Sequence, residues 1–293
     1  MSVWASIEKS ITETTGHAFA IRNQQPIGGG SINSAYRLDS DGQHYFVKLN
    51  QAHALDMFVA EAEGLHELAR ANAIRVPSPV CYGEAAGKSW LVSEFIVFGS
   101  GAGDSAQQLG RQLATMHRYT SKQFGWIRDN TIGSTPQQNS RTDSWDDFYR
   151  DRRLRFQFEL AARNGFTGLL QAKGERLMES LNVFFTNYAP EASLLHGDLW
   201  GGNRAFDETG QPVIFDPAIY YGDREADIAM TELFGGFGAE FYAAYQEVWP
   251  LDAGYSVRKT LYNLYHILNH ANLFGGGYAS QAESMTDQLL AEI

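Results

Sequence analysis

Between Leu194 and Pro217 the chain reads LLHGDLWGGNRAFDETGQPVIFDP and gathers three oxygen-bearing side chains suited to proton and cation chemistry, Asp198, Asn203 and Asp216. Asp198 and Asn203 stand five positions apart, and Asp216 closes an apolar run, Val213-Ile214-Phe215, thirteen positions beyond Asn203. A carboxylate can take a hydroxyl proton while a carboxamide oxygen nearby holds a hard cation. A second carboxylate at the end of a strand can press that cation against phosphate oxygens. The set points to phosphoryl transfer from a magnesium nucleotide. That chemistry needs metal, a cationic clamp and a positioned hydroxyl rather than a covalent nucleophile.

The spacing His196-Gly197-Asp198…Asn203 is that of the catalytic loop H-R-D-x-x-x-x-N, with Gly197 in place of Arg, and Asp216-Pro217 stands where a protein kinase carries Asp-Phe-Gly. The remaining apparatus is expected upstream. Gly28, Gly29, Gly30 and Ser31 form a turn whose backbone N–H groups could meet phosphate, a weak signal taken alone. His44–Leu49 is an apolar strand with one cation, Lys48, which would reach the phosphates; by itself it reads as an ordinary edge lysine. In the helix expected over 56–71, Glu61 and Glu63 are candidates to pair with Lys48, and Glu61 is chosen.

These residues need elements to hold them. An opening helix is expected over 3–15, and further strands at Val80–Tyr82 and Ser89–Phe95. Gly99–Gly103 reads as a flexible connector, so a β-rich nucleotide-binding lobe is drawn over 1–97 and a helical catalytic and substrate lobe over 98–293. Backbone groups at Glu94, Phe95 and Ile96, next to that boundary, would bond adenine. Beyond it, a helix runs from Asp104 to Tyr119 with His117 as a structural or capping residue. Residues 128–143 read as an exposed loop, which could border a substrate site. Trp145–Arg163 reads as one charged helix whose arginines are solvated by i, i+4 pairing (Asp146 with Arg150, Asp151 with Arg155) or form a basic patch. A helix is expected over 169–188, and Leu194-Leu195 as a buried strand. Asp223 would cap the next helix, and Asp227 would support the catalytic loop by accepting backbone N–H bonds. Helices at 239–248, 256–274 and 281–292 follow.

Composition sets bounds. The 293 residues are 44% hydrophobic and 19% charged, as in an ordinary globular protein. A net charge of −11 argues against a nucleic-acid partner, and no run of apolar residues is long enough for a membrane. The start MSVWASIEKS lacks the basic-then-apolar pattern of a secretion signal, and the single cysteine, Cys81, lies in an apolar segment, so a cytoplasmic location is expected. Nothing in the sequence sets an oligomeric state.

With GGGSIN at 28–33, LLHGDLWGGN at 194–203, FDPAIYYGDREADIAM at 215–230 and LFGGF at 233–237, the chain resembles the fructosamine (ketosamine) kinase family over nearly its whole length. Ser144-Trp145, Phe148 and Arg153-Leu154 are similar to that family's SW…F…RL pattern. The resemblance implies an α+β, protein-kinase-like two-lobed fold, related to aminoglycoside and choline kinases. It implies ATP-dependent phosphorylation of the 3-hydroxyl of a ketosamine, free or on protein lysines, with ATP and Mg²⁺. An aminoglycoside- or choline-type acceptor and a nucleotide-binding scaffold without catalysis are the alternatives. In these terms Asp198 would be the base, Asn203 and Asp216 the Mg²⁺ ligands, Lys48 the phosphate clamp and Glu61 its ion-pair partner. Trp200 would lie against the sugar, or serve as a buried structural Trp.

Overall fold

The computed structural model describes residues 2–28 and 32–293. The chain divides into two compact units, Met1–Ser105 with Ala205–Pro217 and Ala106–Arg204 with Ala218–Ile293. The first boundary thus falls after Ser105 rather than after residue 97, and residues 205–217 return to the first unit.

In the first unit, α1 (Val3–Thr15) starts at Ser2, whose hydroxyl accepts the Ala5 N–H at 3.2 Å, and buries Ile7 and Ile11. Five antiparallel strands follow, β1 (Asn23–Ile27), β2 (Ser34–Ser40), β3 (Gln43–Gln51), β4 (Pro79–Ala85) and β5 (Lys88–Glu94), in the order β1-β2-β3-β5-β4. Two-residue turns join β2 to β3 and β4 to β5. Asp41-Gly42 and Ala86-Gly87 both have positive φ at each position, the turn whose twist matches that of the strands. One sheet face packs Leu38, Val47, Trp90 and Val92 against Ile7 and Ile11. On the other, Leu91 meets Phe58 and Ala62 of α2 (Leu55–Arg70). Strand alternation therefore turns Val47 to the first face and its neighbour Lys48, directly across from Leu91, to the face covered by α2.

The connector read as flexible is exposed but held at its start. Phe98–Gly99 pairs antiparallel with Phe206–Asp207. A Cβ on Gly101 would come within 2.3 Å of the Phe206 ring, so the glycine serves close packing rather than freedom. The hairpin of strands Arg204–Asp207 and Pro212–Ile214 is fastened further by Arg75, which donates to Asp207 Oδ2 and Glu94 Oε1 at 2.5 Å each. The Arg75 carbonyl accepts the Ile214 N–H at 3.0 Å.

The second unit is mostly helical, built around Tyr255–Phe274, whose Leu261, Leu264, Ile267 and Leu268 are fully buried. A small antiparallel sheet places Ala192–Leu195 between Thr120–Ser121 and Tyr220–Gly222. Residues 128–143 are not a plain exposed loop: strands Asn130–Ile132 and Thr135–Gln137 form a hairpin, with Gln137 and Asn139 buried. Trp145–Arg163 is not one regular helix, because a π-helical stretch, Tyr149–Arg155, interrupts it. The wider turn shifts the buried face away from that of a 3.6-residue period. Arg153 accordingly points inward, wholly buried, its guanidinium 4.0 Å from the Tyr220 ring centroid and 4.6 Å from that of Phe148. Arg150 pairs with Asp147 and Asp151 instead of Asp146, which meets the Ser144 hydroxyl. The expected 169–188 helix ends at Glu179 and resumes as a 3₁₀ turn, Leu181–Phe185. Among the described residues no helix is long and apolar enough to cross a membrane.

Candidate active site

In the first unit the chemistry centres on Lys48. Phe58, Glu61, Ala62 and Leu65 share the inward face of α2, which brings Glu61 beneath the sheet. Lys48 Nζ donates to Glu61 Oε1 and to Asp216 Oδ1, each at 2.6 Å. Burial favours the neutral amine, but Asp216 and Glu61 outweigh it and hold the ammonium above its ordinary value. Burial pushes the Glu61 carboxyl upward, with Lys48 opposing. Asp216 has φ 57°, a left-handed conformation that costs an L-residue about 1 kcal/mol and that Asp tolerates better than most. The bond to Lys48 offsets that cost. The sequence reading paired Lys48 with Glu61 alone; the direct bond to Asp216 spans 168 positions and had no local signal.

Of the glycine-rich turn, Gly28 is described, while Gly29, Gly30 and Ser31 lie outside the described residues. After those residues, Asn50 Nδ2 donates to Asn33 Oδ1 at 2.7 Å. Glu94 ends β5 and Phe95 and Ile96 follow it, but the Glu94 N–H already donates to the Ser78 carbonyl at 2.8 Å and its carboxylate holds Arg75. Phe95 lies under the Arg37 guanidinium, 4.6 Å from the ring centroid, and Ile96 is buried.

In the second unit the buried strand Ala192–Leu195 runs into His196-Gly197-Asp198. Gly197 has φ 81°, and a Cβ there would sit 2.0 Å from the Ala218 carbonyl oxygen, so no larger residue fits where protein kinases carry Arg. Asp227 accepts the His196 and Gly197 N–H groups at 2.7 and 2.8 Å, one on each carboxylate oxygen. His117 Nε2 lies 3.2 Å from Asp227 Oδ2, and its Nδ1 2.8 Å from the Tyr245 hydroxyl. Burial would raise the Asp227 carboxyl, yet His117 and the loop amides keep it below its usual value, whereas burial lowers His117. Asp227 is thereby a fixed anion under the loop. A 3₁₀ turn, Gly201–Asn203, folds Asn203 back so that its Nδ2 donates to the Asp198 carbonyl at 2.8 Å and to Asp198 Oδ2 at 3.1 Å. Asp198 itself is half-buried.

Trp200 is 39% exposed, which removes the reading of it as a buried structural residue. Its ring covers Gly202 and meets the Phe234 edge at 6.3 Å between centroids. An exposed aromatic face two positions from Asp198 suits the apolar face of a sugar.

The fructosamine kinase family model matches residues 3–292. A protein named as a probable ketoamine kinase from Synechocystis sp. is 50% identical over 288 residues, covering 98% of this chain and 97% of that one. The chloroplastic protein-ribulosamine 3-kinase of Arabidopsis thaliana is 46% identical over 280 residues, 94% of this chain and 85% of its own. Among solved structures, a fructosamine-3-kinase candidate from Haemophilus somnus superposes with a TM-score of 0.90 at 29% identity, over 98% of this chain and 97% of that one. A thermostable mutant of aminoglycoside phosphotransferase APH(4)-Ia superposes with a TM-score of 0.63 at 17% identity, over 97% of this chain and 98% of that one, a likeness of fold alone.

Proposed function

The chain belongs to the fructosamine kinase family, and from that premise we propose that it transfers the γ-phosphoryl group of ATP to the 3-hydroxyl of a ketosamine. It is a phosphotransferase of protein-kinase-like fold, and the kinase family brings with it the use of ATP. The acceptor reading rests on relatives named for ketoamines and for protein-bound ribulosamine. The phosphoryl-transfer reading rests on one observation above all: a buried ammonium, Lys48, held between Glu61 and the carboxylate of Asp216, two residues past the strand Pro212–Ile214.

Mg²⁺ fits the donors present. Asn203 uses its Nδ2 on Asp198, which presents Oδ1 as a hard oxygen ligand, and Asp216 supplies a carboxylate. Among the described residues no group of three or more His, Cys, Asp or Glu could cage a metal by itself. That suits an ion carried mainly by substrate phosphates and only one or two protein oxygens. When bound, the ion neutralises charge on the phosphates. Asp198, its Oδ2 steadied by Asn203, accepts the proton of the attacking hydroxyl; Lys48 gives its charge to the nucleotide phosphates; Asp227 keeps the base loop in register. Trp200 takes the sugar ring of the acceptor. The N–H groups of the 28–31 turn and backbone groups at 95–96 serve ATP, while Glu94 steadies that segment through Arg75.

The test is a panel of acceptors with MgATP: ribulose-lysine, fructose-lysine, choline and an aminoglycoside. Transfer to a ketosamine at its 3-position, with none to choline or the aminoglycoside, is expected. Transfer to choline or the aminoglycoside alone would overturn the acceptor assignment. Replacing Asp216 with Asn should raise the Mg²⁺ concentration needed for half-maximal rate, and an unchanged requirement would remove Asp216 from the metal.

A further inference from the structure

Asp227 grips the base loop through two N–H groups. A second grip comes from the hairpin at 130–137. Asn130 Oδ1 accepts from Gln137 Nε2 at 2.8 Å and from Asn139 Nδ2 at 2.9 Å, so three carboxamides form one cluster, two of them almost wholly buried. The cluster reaches out to two neighbouring carbonyls. Gln137 Nε2 donates to the Ala218 oxygen at 3.0 Å, and Asn130 Nδ2 to the Ile219 oxygen at 2.8 Å. Ala218 is in turn the backbone on which the base loop rests. Its N–H donates to the His196 carbonyl at 2.9 Å, and its own carbonyl fills the space that any Cβ at Gly197 would need.

The cluster is anchored from behind by a charge. Arg153 donates to Asn139 Oδ1 at 2.8 Å and to the Gln138 carbonyl at 2.6 Å, and among the described residues no carboxylate pairs with it. Tyr265 completes the set, its hydroxyl donating to Gln137 Oε1 at 2.7 Å. Burying two carboxamides wholly, a third in part, and an arginine costs desolvation that apolar side chains would not incur. What the polar set supplies is register, since each amide can satisfy only one arrangement of partners.

We propose that Gln137 and Arg153 are positioning residues for Asp198: through the carboxamide cluster and the Ala218–Ile219 backbone they set where the base loop lies. The proposal rests on the assignment of Asp198 as the base. Proton transfer depends steeply on the distance from base to hydroxyl, and a misplacement of about 1 Å can cost on the order of 10²-fold in rate. Nucleotide binding draws on Lys48 in the other unit and does not use this cluster.

The experiment compares the full-length wild type with Gln137→Leu and with the milder Tyr265→Phe, which removes only the hydroxyl that orients Gln137. Amide hydrogen exchange is followed by peptide, and kcat and KM for ATP are measured on ribulose-lysine. Faster exchange is expected at 192–203 and at 218–219, besides the altered hairpin itself, with no general rise through the second unit, kcat lower by about 10-fold or more in Gln137→Leu and KM for ATP within about twofold of wild type. Should Gln137→Leu fail to fold, Tyr265→Phe gives the same pattern at smaller size. Wild-type exchange over 192–203 in a folded variant would overturn the proposal, as would an unchanged kcat or exchange rising evenly through the second unit. If the wild type phosphorylated no ketosamine, the acceptor assignment would fall, and exchange at 192–203 would still decide this inference.

Discussion

Lys48 Nζ and Asp216 Oδ1 stand 2.6 Å apart across 168 positions of sequence. The same ammonium holds Glu61, so one cation lies between two carboxylates and the group carries a net negative charge. The two partners are unequal. The Glu61 side chain is 12% exposed and that of Asp216 is 47% exposed. In the proposed metal role Asp216 is the partner that exchanges Lys48 for the ion, and Glu61 is the one that keeps the lysine.

Replacing Lys48 with Met strands Glu61 as a buried carboxylate. Loss of about 3 kcal/mol of unfolding free energy is expected, the lower end for removing one partner of a buried pair. Adding Glu61→Gln should restore much of it, because no buried charge is then left alone. ATP binding should be weak in both. Urea unfolding of the single and double variants checks this, and equal stabilities would show that Glu61 does not depend on Lys48.

Asp227→Asn keeps the size of the side chain but leaves one oxygen for two amides, and its NH₂ would face an N–H. The expected result is kcat reduced by about 10-fold or more with little change in KM for ATP, and stability lower by about 1–3 kcal/mol for the unsatisfied buried group. Steady-state kinetics beside thermal melting separates the two effects. A variant that melts early yet turns over normally would mean that Asp227 supports only the fold.

Burial pushes His266 down to about 3 from its ordinary 6.5, helped by neighbouring His270. Above the ordinary value the residue is neutral in both states and its contribution is complete. As pH falls below 6.5 the unfolded chain takes up a proton that the folded chain refuses until about 3, so stability is lost on acidification, by up to about 1.4 kcal/mol per pH unit from this residue. His266→Gln should flatten the dependence of the urea midpoint on pH between 7 and 5. Parallel dependences for the two proteins would rule this out.

Trp200→Ala should raise KM for the ketosamine about 10-fold, a loss of about 1.4 kcal/mol, and leave KM for ATP in place. An equal rise in both would argue that the ring supports the loop rather than the sugar.

The parts of this molecule that could be read from its sequence are those set by neighbours in the chain. His44–Leu49 and Leu194-Leu195 can be read as strands because each is a short continuous apolar run. Glu61 could be preferred to Glu63 because it shares a helical face with Phe58 and Leu65. Arg153 could not be placed, since the π turn that rotates it inward leaves no mark in a pattern judged at 3.6 residues per turn. Gln137 and Asn139 read as solvent-facing for a related reason. Their burial depends on Ala218, Tyr265 and Arg153, none of them local to the polar segment they occupy. The return of 205–217 to the first unit rests likewise on the pairing of Phe98–Gly99 with Phe206–Asp207.

In the proposed reaction Asp198 takes the proton of a ketosamine 3-hydroxyl as phosphate is transferred from ATP. This role is tested most directly by following labelled γ-phosphate from ATP to ribulose-lysine, with wild type and Asp198→Asn side by side and ATP affinity measured in both. Labelled 3-phosphate is expected from the wild type, with a rate lower by about 10²-fold or more in Asp198→Asn and equal ATP affinity. Equal rates from the two proteins would contradict this role.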